Sequence, residues 1–139
     1  KLLSEKCMLT AQDKGVIRTK KGRKCRFDQW ETKDFGLHMP ETFDNAVAKY
    51  GRDNIKRAKT YKALNRLIQG SSADQTKKAM VDCYNQGHLP ILQIHDELCF
   101  NIKDDKDIKT IKKTMEECIE FKVPFVVDHG TGKSWGEAK

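Results

Sequence analysis

Several classes of protein are excluded by what this sequence lacks. It has five cysteines, an odd number, and no Cys-x-x-Cys pair, which argues against a disulfide framework and against a structural zinc site. No stretch approaches the ~20 apolar residues of a membrane span, and the N-terminus has no signal-peptide pattern. We therefore expect a chain without a membrane segment, in a reducing compartment, the cytoplasm. The first residue is not methionine, and we expect a piece of a longer protein.

Apolar residues are also few. The hydrophobic fraction is 37% and the charged fraction 34% in 139 residues, so we expect a modest core in one domain or part of one. The formal net charge is +7. A basic balance of this kind suits a polyanion such as nucleic acid, although a merely soluble basic protein would show it too.

Two apolar, β-prone runs flank the polar residues His95, Asp96 and Glu97 in the stretch 91–100. The pattern predicts two strands joined by a tight turn. Adjacent carboxylates repel each other, and such turns are normally closed by Asn-Gly or glycine-rich pairs. We therefore expect the tip to bind a divalent cation.

A second hairpin is predicted at residues 16–19 and 24–27, with Gly22 in its turn. The hairpin, with Lys14 just before it, carries seven positive side chains and no acid; they are Lys14, Arg18, Lys20, Lys21, Arg23, Lys24 and Arg26. A solvated charged face is the simpler interpretation. Because so many like charges repel each other, we favour a contact with a phosphate backbone.

Apolar residues at helical spacing predict a long helix from about Asn54 to Asn85. Gly70 and the serines after it cost helix propensity, which suggests that another backbone or a ligand approaches closely here. Asn65 and Gln69 are four residues apart and share one face. They are either ordinary surface amides or donors to the minor-groove acceptors that all base pairs present in similar places.

The remaining pattern predicts an α+β fold, in which antiparallel strands carry the polar tip and helices pack on one face. Residues 28–54 are predicted to be mostly loop, with aromatic residues that pin it down. The other predicted elements are a helix over 1–14 ended by Gly15, a short helix from Glu41 to Tyr50 ended by Gly51, a helix opened by Asp104 and Asp105, a strand over 123–127 and a loop over 130–135.

Three stretches together resemble the palm of family A (DNA polymerase I-like) DNA polymerases. Residues 61–80, with the run Leu-Asn-Arg-Leu-Ile-Gln-Gly-Ser-Ser-Ala-Asp-Gln, resemble a palm helix of that family. The stretch 93–98, Gln-Ile-His-Asp-Glu-Leu, resembles its motif C, and 123–135 resembles its C-terminal strand and end. Residues 15–23 fit the segment that connects fingers to palm. The resemblance covers nearly the whole chain, in family order, and is closest to phage polymerases.

The resemblance implies roles for single residues. Asp96 is a metal-binding palm aspartate, Glu97 its supporting neighbour, and His95 lies near the primer 3′ end. Asn65 and Gln69 contact the minor groove of the primer–template, which favours the second interpretation of this amide pair. The implied reaction is nucleotidyl transfer from a dNTP to a primer 3′-OH, with two Mg²⁺ ions ~4 Å apart.

The family also uses a motif A aspartate and a lysine-bearing fingers helix, and neither is found in this sequence. We expect an N-terminal polymerase portion to supply both and this chain to be inactive alone. The implied organisation is a connecting segment with the basic hairpin and an insertion over 1–54, and the C-terminal palm over 55–139. Where the family often has arginine, four residues before Asn65, this chain has Tyr61. Arg57 or Lys59, about one turn earlier, is expected to supply the charge toward DNA.

Two other functions stay open. One is a non-catalytic, basic nucleic-acid-binding module that has kept the palm shape. The other is a metal-dependent nuclease that uses His95, Asp96 and Glu97. A nuclease would need further acids nearby, and the acids at 104, 105 and 107 are better explained as residues that start a helix.

Overall fold

A computed structural model describes residues 2–138 and has the predicted α+β composition. In that range, the helices are α1 (Leu3–Lys14), α2 (Phe43–Tyr50), α3 (Ala63–Asn85) and α4 (Asp105–Glu117). The strands are β1 (Val16–Arg18), β2 (Lys24–Arg26), β3 (Trp30–Thr32), β4 (Ile55–Arg57), β5 (Pro90–Ile94) and β6 (Glu97–Phe100). They pair as three antiparallel two-stranded sheets, β1–β2, β3–β4 and β5–β6. Packing divides the chain into two units, one up to Ser71 and one from Ser72 onward.

The first unit begins as the sequence predicts. Helix α1 ends at Gly15, whose φ of 66° is left-handed and whose N–H donates to Ala11 O at 3.0 Å. Glycine is favoured there because it has no Cβ to collide. The β1–β2 hairpin follows at once, and Gly22 lies in its turn with a φ of 87°. Both predicted glycine signals are confirmed.

The core of the first unit lies under this hairpin and consists of Cys7, Ala11, Ile17, Phe27 and Ala63, with Cys25, Leu64 and Leu67 packed against it. Ile17 and Cys25 are opposite each other in the β1–β2 register, and so are Arg18 and Lys24. Successive strand residues point to opposite faces. Because Ile17 and Cys25 face the core, Arg18 and Lys24 face the solvent.

Residues 28–57 are more regular than predicted. Trp30–Thr32 was expected to be loop, and it forms a strand that pairs with Ile55–Arg57. That partner lies far along the chain, so neighbouring residues gave no signal of the pairing. Helix α2 is confirmed, with Gly51 at its end and Thr42 as its N-cap. Trp30 meets Phe43 edge to face at 5.0 Å, so aromatic residues do hold this segment.

The long helix starts later than predicted. It begins at Ala63, not near Asn54, because the preceding residues form β4 and a 3₁₀ turn at Thr60–Lys62. Lys59, just before that turn, has a φ of 56°, which no α-helix residue adopts. Arg57 and Lys59 are therefore not one helical turn before Tyr61, so the expected spacing is wrong, while a contact of either residue with DNA stays a prediction.

The small residues in α3 mark a close approach, as predicted. A Cβ at Gly70 would lie 3.1 Å from Thr19 Cγ2, 3.6 Å from Arg23 Cδ and 3.7 Å from Cys25 Sγ. The basic hairpin therefore packs directly on α3 at this position, within the first unit.

We expect Gly70→Leu to lower the free energy of unfolding by about 1–3 kcal/mol, as overpacking does. Leucine favours a helix over glycine by about 1 kcal/mol, so a loss can come only from the collision with the hairpin. Urea unfolding measures it. The control is Ala73→Leu at an exposed position of α3, which should be nearly neutral. A Gly70→Leu protein as stable as the parent would show that the hairpin can move away from α3 without a cost in stability.

The second unit joins the C-terminal part of α3 to α4. Gln75 is buried and donates from Nε2 to Met115 O at 2.6 Å, and Ala79, Cys83, Ile111 and Ile119 are buried. Burial raises the pKa of the Cys83 thiol to about 11 and also raises the pKa of Cys118. Both thiols are therefore neutral near pH 7 and act as small hydrophobes.

Residues 123–127 do not form the predicted strand. Val123 and Val126 are 73% and 72% exposed, and no strand among residues 2–138 pairs with this stretch. A strand needs a hydrogen-bonded partner, and Pro124 cannot donate to one. The loop over 130–135 is confirmed. No helix within residues 2–138 is long and apolar enough to cross a membrane.

Candidate functional site

The acidic tip lies on the β5–β6 hairpin. Ile94 pairs with Glu97, so the turn consists of His95 and Asp96 alone. The predicted break of three residues is one residue shorter, and Glu97 begins β6. Gln93 Nε2 donates to His95 O at 3.1 Å and ties the turn to β5. The sequence thus builds a tight turn that presents a carboxylate where glycine or asparagine is usual.

His95 has a φ of 52°, in the left-handed region that non-glycine residues rarely adopt. Lys59 is the other non-glycine residue with a positive φ in the described range. Such a backbone conformation costs about 1–3 kcal/mol and persists where the surrounding structure enforces it, often at functional sites. The strain falls on the residue that precedes the candidate metal ligand.

His95, Asp96 and Glu97 are all exposed. Between residues 2 and 138 no cluster of three or more His, Cys, Asp or Glu side chains is placed to hold a metal ion. Carboxylate oxygens suit Mg²⁺, but a pair of such ions needs more than the carboxylates of this tip. The tip therefore fits part of a metal site, with further oxygen ligands required from elsewhere.

The acids that follow β6 serve the start of α4, as predicted. Asp104 is the N-cap, and its Oδ1 accepts from Lys106 N at 2.8 Å and Asp107 N at 3.1 Å. Asp107 accepts from Lys103 N at 2.8 Å, and this hydrogen bond lowers the pKa of the Asp107 carboxyl. These two carboxylates are engaged by backbone N–H groups, which weakens the nuclease interpretation.

The basic hairpin exposes all six of its predicted contact residues: Arg18, Lys20, Lys21, Arg23, Lys24 and Arg26. Arg18 and Lys24 stand directly opposite each other in the register. Like charges in such a cross-strand pair are destabilising. A strand pair that carries this cost presents a surface suited to a polyanion.

Asn65 and Gln69 are exposed on α3, in the same unit as the basic hairpin. Helix α3 contacts that hairpin through Arg66 and Gly70, which follow the two amides by one position each. Arg66 Nη1 donates to Arg26 O at 3.0 Å, and Gly70 lies against Thr19. The two amides each precede a packed residue by one position, so they lie about 100° around the helix from the packed face. Their contact with DNA stays a prediction.

Arg57 does not extend freely from the surface. Its Nη1 donates to Phe27 O at 2.9 Å, and its guanidinium carbon lies 4.7 Å from the centre of the Trp30 ring. Its Nε is buried. A guanidinium engaged in this way is held inside the first unit, whereas the sequence suggested a contact with DNA.

Sequence reasoning missed Arg66. Besides bonding Arg26 O, its guanidinium carbon lies 4.8 Å from the centre of the Phe27 ring. One signal was available: Arg66 and Gly70 are four residues apart, so a glycine that marks a close approach places Arg66 on the same packed face.

Comparison with known proteins agrees with the resemblance seen in residues 61–80 and 93–98. A DNA-directed DNA polymerase of Pseudomonas phage M6 is 36% identical over 138 residues, which are 99% of this chain and 18% of that protein. DNA polymerase I of Lactococcus lactis subsp. cremoris (strain MG1363) is 32% identical, over 100% of this chain and 15% of that protein.

The fold is similar to the POL domain of Pol1 from M. smegmatis, solved in complex with a DNA primer-template and dNTP. The TM-score is 0.69 at 25% identity, over 97% of this chain and 22% of that one. The chain thus spans less than a quarter of each of these relatives. The model of the family described as DNA polymerase family A matches residues 2–137, and the chain belongs to that family.

Proposed function

We propose that this chain is the C-terminal palm portion of a template-directed DNA polymerase. The observation that carries the proposal is the strained two-residue turn that presents Asp96 at the tip of a hairpin, in a chain of family A. Residues 1–54 form the segment that connects fingers to palm, and residues 55–139 form the palm itself. The cytoplasm, a reducing compartment, suits its five free cysteines.

In this proposal Asp96 supplies a carboxylate ligand to Mg²⁺, and Glu97 supports it. Bound Mg²⁺ would activate the primer 3′-oxygen and neutralise charge on the leaving pyrophosphate. His95 fixes the direction in which Asp96 points, because its backbone makes the turn, and its exposed ring lies near the primer 3′ end. The rigid strand pair holds the carboxylate still, which matters because phosphoryl transfer depends on positioning.

DNA would be held by two sets of side chains in the first unit. The six exposed cations of the β1–β2 hairpin bind phosphates without regard to sequence. Asn65 and Gln69 donate to minor-groove acceptors, whose positions vary little among base pairs. The similar domain of Pol1 from M. smegmatis was solved with primer-template and dNTP, which supports both as partners here.

The proposal requires a partner portion with a second aspartate and the fingers helix. We expect no primer extension by the 139-residue chain alone. Mixed with the preceding polymerase portion, produced as a separate polypeptide, it should extend a primer–template when Mg²⁺ and dNTPs are present. Gel analysis of a labelled primer measures this. Extension by the chain alone would refute the proposed division of the active site.

A non-catalytic DNA-binding module is the second candidate. The exposed basic hairpin favours it, since that surface suits phosphates whether or not the protein is catalytic. The same mixing experiment separates the two functions: a module would bind the primer–template but leave extension absent in every combination.

A further inference from the structure

Two arginines from different elements donate to the end of the basic hairpin. Arg57, at the end of β4, donates to Phe27 O at 2.9 Å. Arg66, on α3, donates to Arg26 O at 3.0 Å. The two acceptors are consecutive carbonyls where the chain leaves β2. The two guanidinium groups thus tie the hairpin to a neighbouring sheet and to a helix, in addition to the packing of its core.

Both guanidinium groups also lie over aromatic rings. Arg66 is 4.8 Å from the centre of Phe27, which is 3% exposed, and Arg57 is 4.7 Å from the centre of Trp30. A planar guanidinium can stack on a ring and donate in its own plane at the same time, which a lysine ammonium cannot. The contact therefore depends on arginine and not on positive charge.

Arg57 also touches the residue that precedes the first strand, at the same base of the hairpin. Phe27 N donates to Gly15 O at 2.8 Å, which closes the base of the hairpin. A Cβ on Gly15 would lie 2.5 Å from Arg57 Cζ and 2.7 Å from its Nη1. Glycine is thus favoured here by its positive φ, and a Cβ at this position would displace the guanidinium packed against it.

We propose that Arg57 and Arg66 are positioning residues that set the orientation of the cationic face of the β1–β2 hairpin. They act on DNA through Arg18, Lys21, Lys24 and the other exposed hairpin cations. This inference rests on the proposed function, in which those cations bind phosphates. It replaces a direct contact between Arg57 and DNA, because the Arg57 guanidinium is already engaged by Phe27, Trp30 and Gly15.

The test keeps the positive charge of each side chain and removes the planar guanidinium. Arg57→Lys and Arg66→Lys are measured for binding to a primer–template duplex by fluorescence anisotropy over a range of NaCl concentrations. The slope of log K against log[salt] falls by about 0.9 for each phosphate that the protein no longer neutralises. We expect the slope of each variant to fall by about 2 and its affinity by about tenfold, although no charge has been removed. Arg52→Lys, at an exposed arginine of the same unit, should leave both unchanged.

Gly15→Ala tests the same contact from the other side. Gly15 and Gly51 both end helices with positive φ, but a Cβ at Gly51 meets only Asn54 Nδ2, at 3.8 Å. We expect Gly15→Ala to lower the salt slope as Arg57→Lys does. The double variant Gly15→Ala, Arg57→Lys should have a slope no lower than that of either single variant. Gly51, with a φ of 81° and a ψ of 150°, lies in a region that essentially only glycine adopts, so Gly51→Ala carries at least as much backbone strain as Gly15→Ala. It lacks the collision and should keep the parental slope.

Melting curves show that each variant is folded at the assay temperature, and a loss of stability alone does not change the slope. If Arg57→Lys does not fold, the slopes of Arg66→Lys and Gly15→Ala decide whether the positioning role holds. Parental slopes in the lysine variants would overturn the positioning role while leaving the proposed function intact. A parent chain whose DNA affinity does not depend on salt would instead remove the proposed function itself.

Discussion

Asp96→Asn is expected to lower primer extension by the reconstituted polymerase about 10³-fold, while affinity for the duplex stays within about twofold. A Lewis-acid metal is worth several kcal/mol of transition-state stabilisation, and each ~1.4 kcal/mol is a factor of ten in rate. The substitution keeps the shape of the side chain and removes the charge that Mg²⁺ requires. Asp96 lies in an exposed turn, so stability should hardly change. Single-turnover extension rates and anisotropy titrations measure the two quantities.

Two comparisons make this result specific. Glu97→Gln should reduce the rate only about tenfold, because Glu97 supports the site and does not define it; removal of a supporting group typically costs ~10–100-fold. Asp105→Asn removes an exposed acid from the first turn of α4 in the same unit and should leave the rate unchanged. Equal rates for Asp96→Asn and Asp105→Asn would disprove the metal role of Asp96.

Elements specified by nearby residues could be predicted from the sequence. The glycine that ends α1, the turn of the basic hairpin and the acidic start of α4 each depend on one or two side chains and their own backbone. Elements that depend on a distant partner could not. Trp30–Thr32 is a strand because Ile55–Arg57 lies beside it, and residues 123–127 resemble a strand in composition without having one to pair with.

The same distinction applies to the site. The acidic tip and the cationic hairpin face were predictable because both are contiguous in sequence. The engagement of Arg57 was not, since its partners Gly15, Phe27 and Trp30 all lie far from residue 57 in the sequence. An arginine of unknown surroundings near a nucleic-acid site is readily assigned to phosphate. Only the fold shows that the Arg57 guanidinium is already engaged by Phe27 O and the Trp30 ring.

The cationic hairpin face gives the second large effect. We expect the triple variant Lys21→Gln, Lys24→Gln, Arg26→Gln to bind the primer–template about 10²-fold more weakly near 0.1 M salt, with the salt slope lower by about 2–3. All three side chains are exposed, and none belongs to the core under the hairpin. Stability should therefore hold or rise, because mutual repulsion among the hairpin cations is relieved.

The matched control is Lys106→Gln, Lys109→Gln, Lys113→Gln, which removes the same charge from exposed positions of α4. If only the net charge of the protein mattered, both triple variants would weaken binding equally, and the hairpin would not be a DNA contact. If the hairpin binds phosphates, only its variant shows a smaller slope. At saturating DNA the extension rate should then recover in the hairpin variant, because these cations hold the duplex and the acidic tip performs the chemistry. A hairpin variant that stays slow at saturation would instead place part of this surface at the reacting end of the primer.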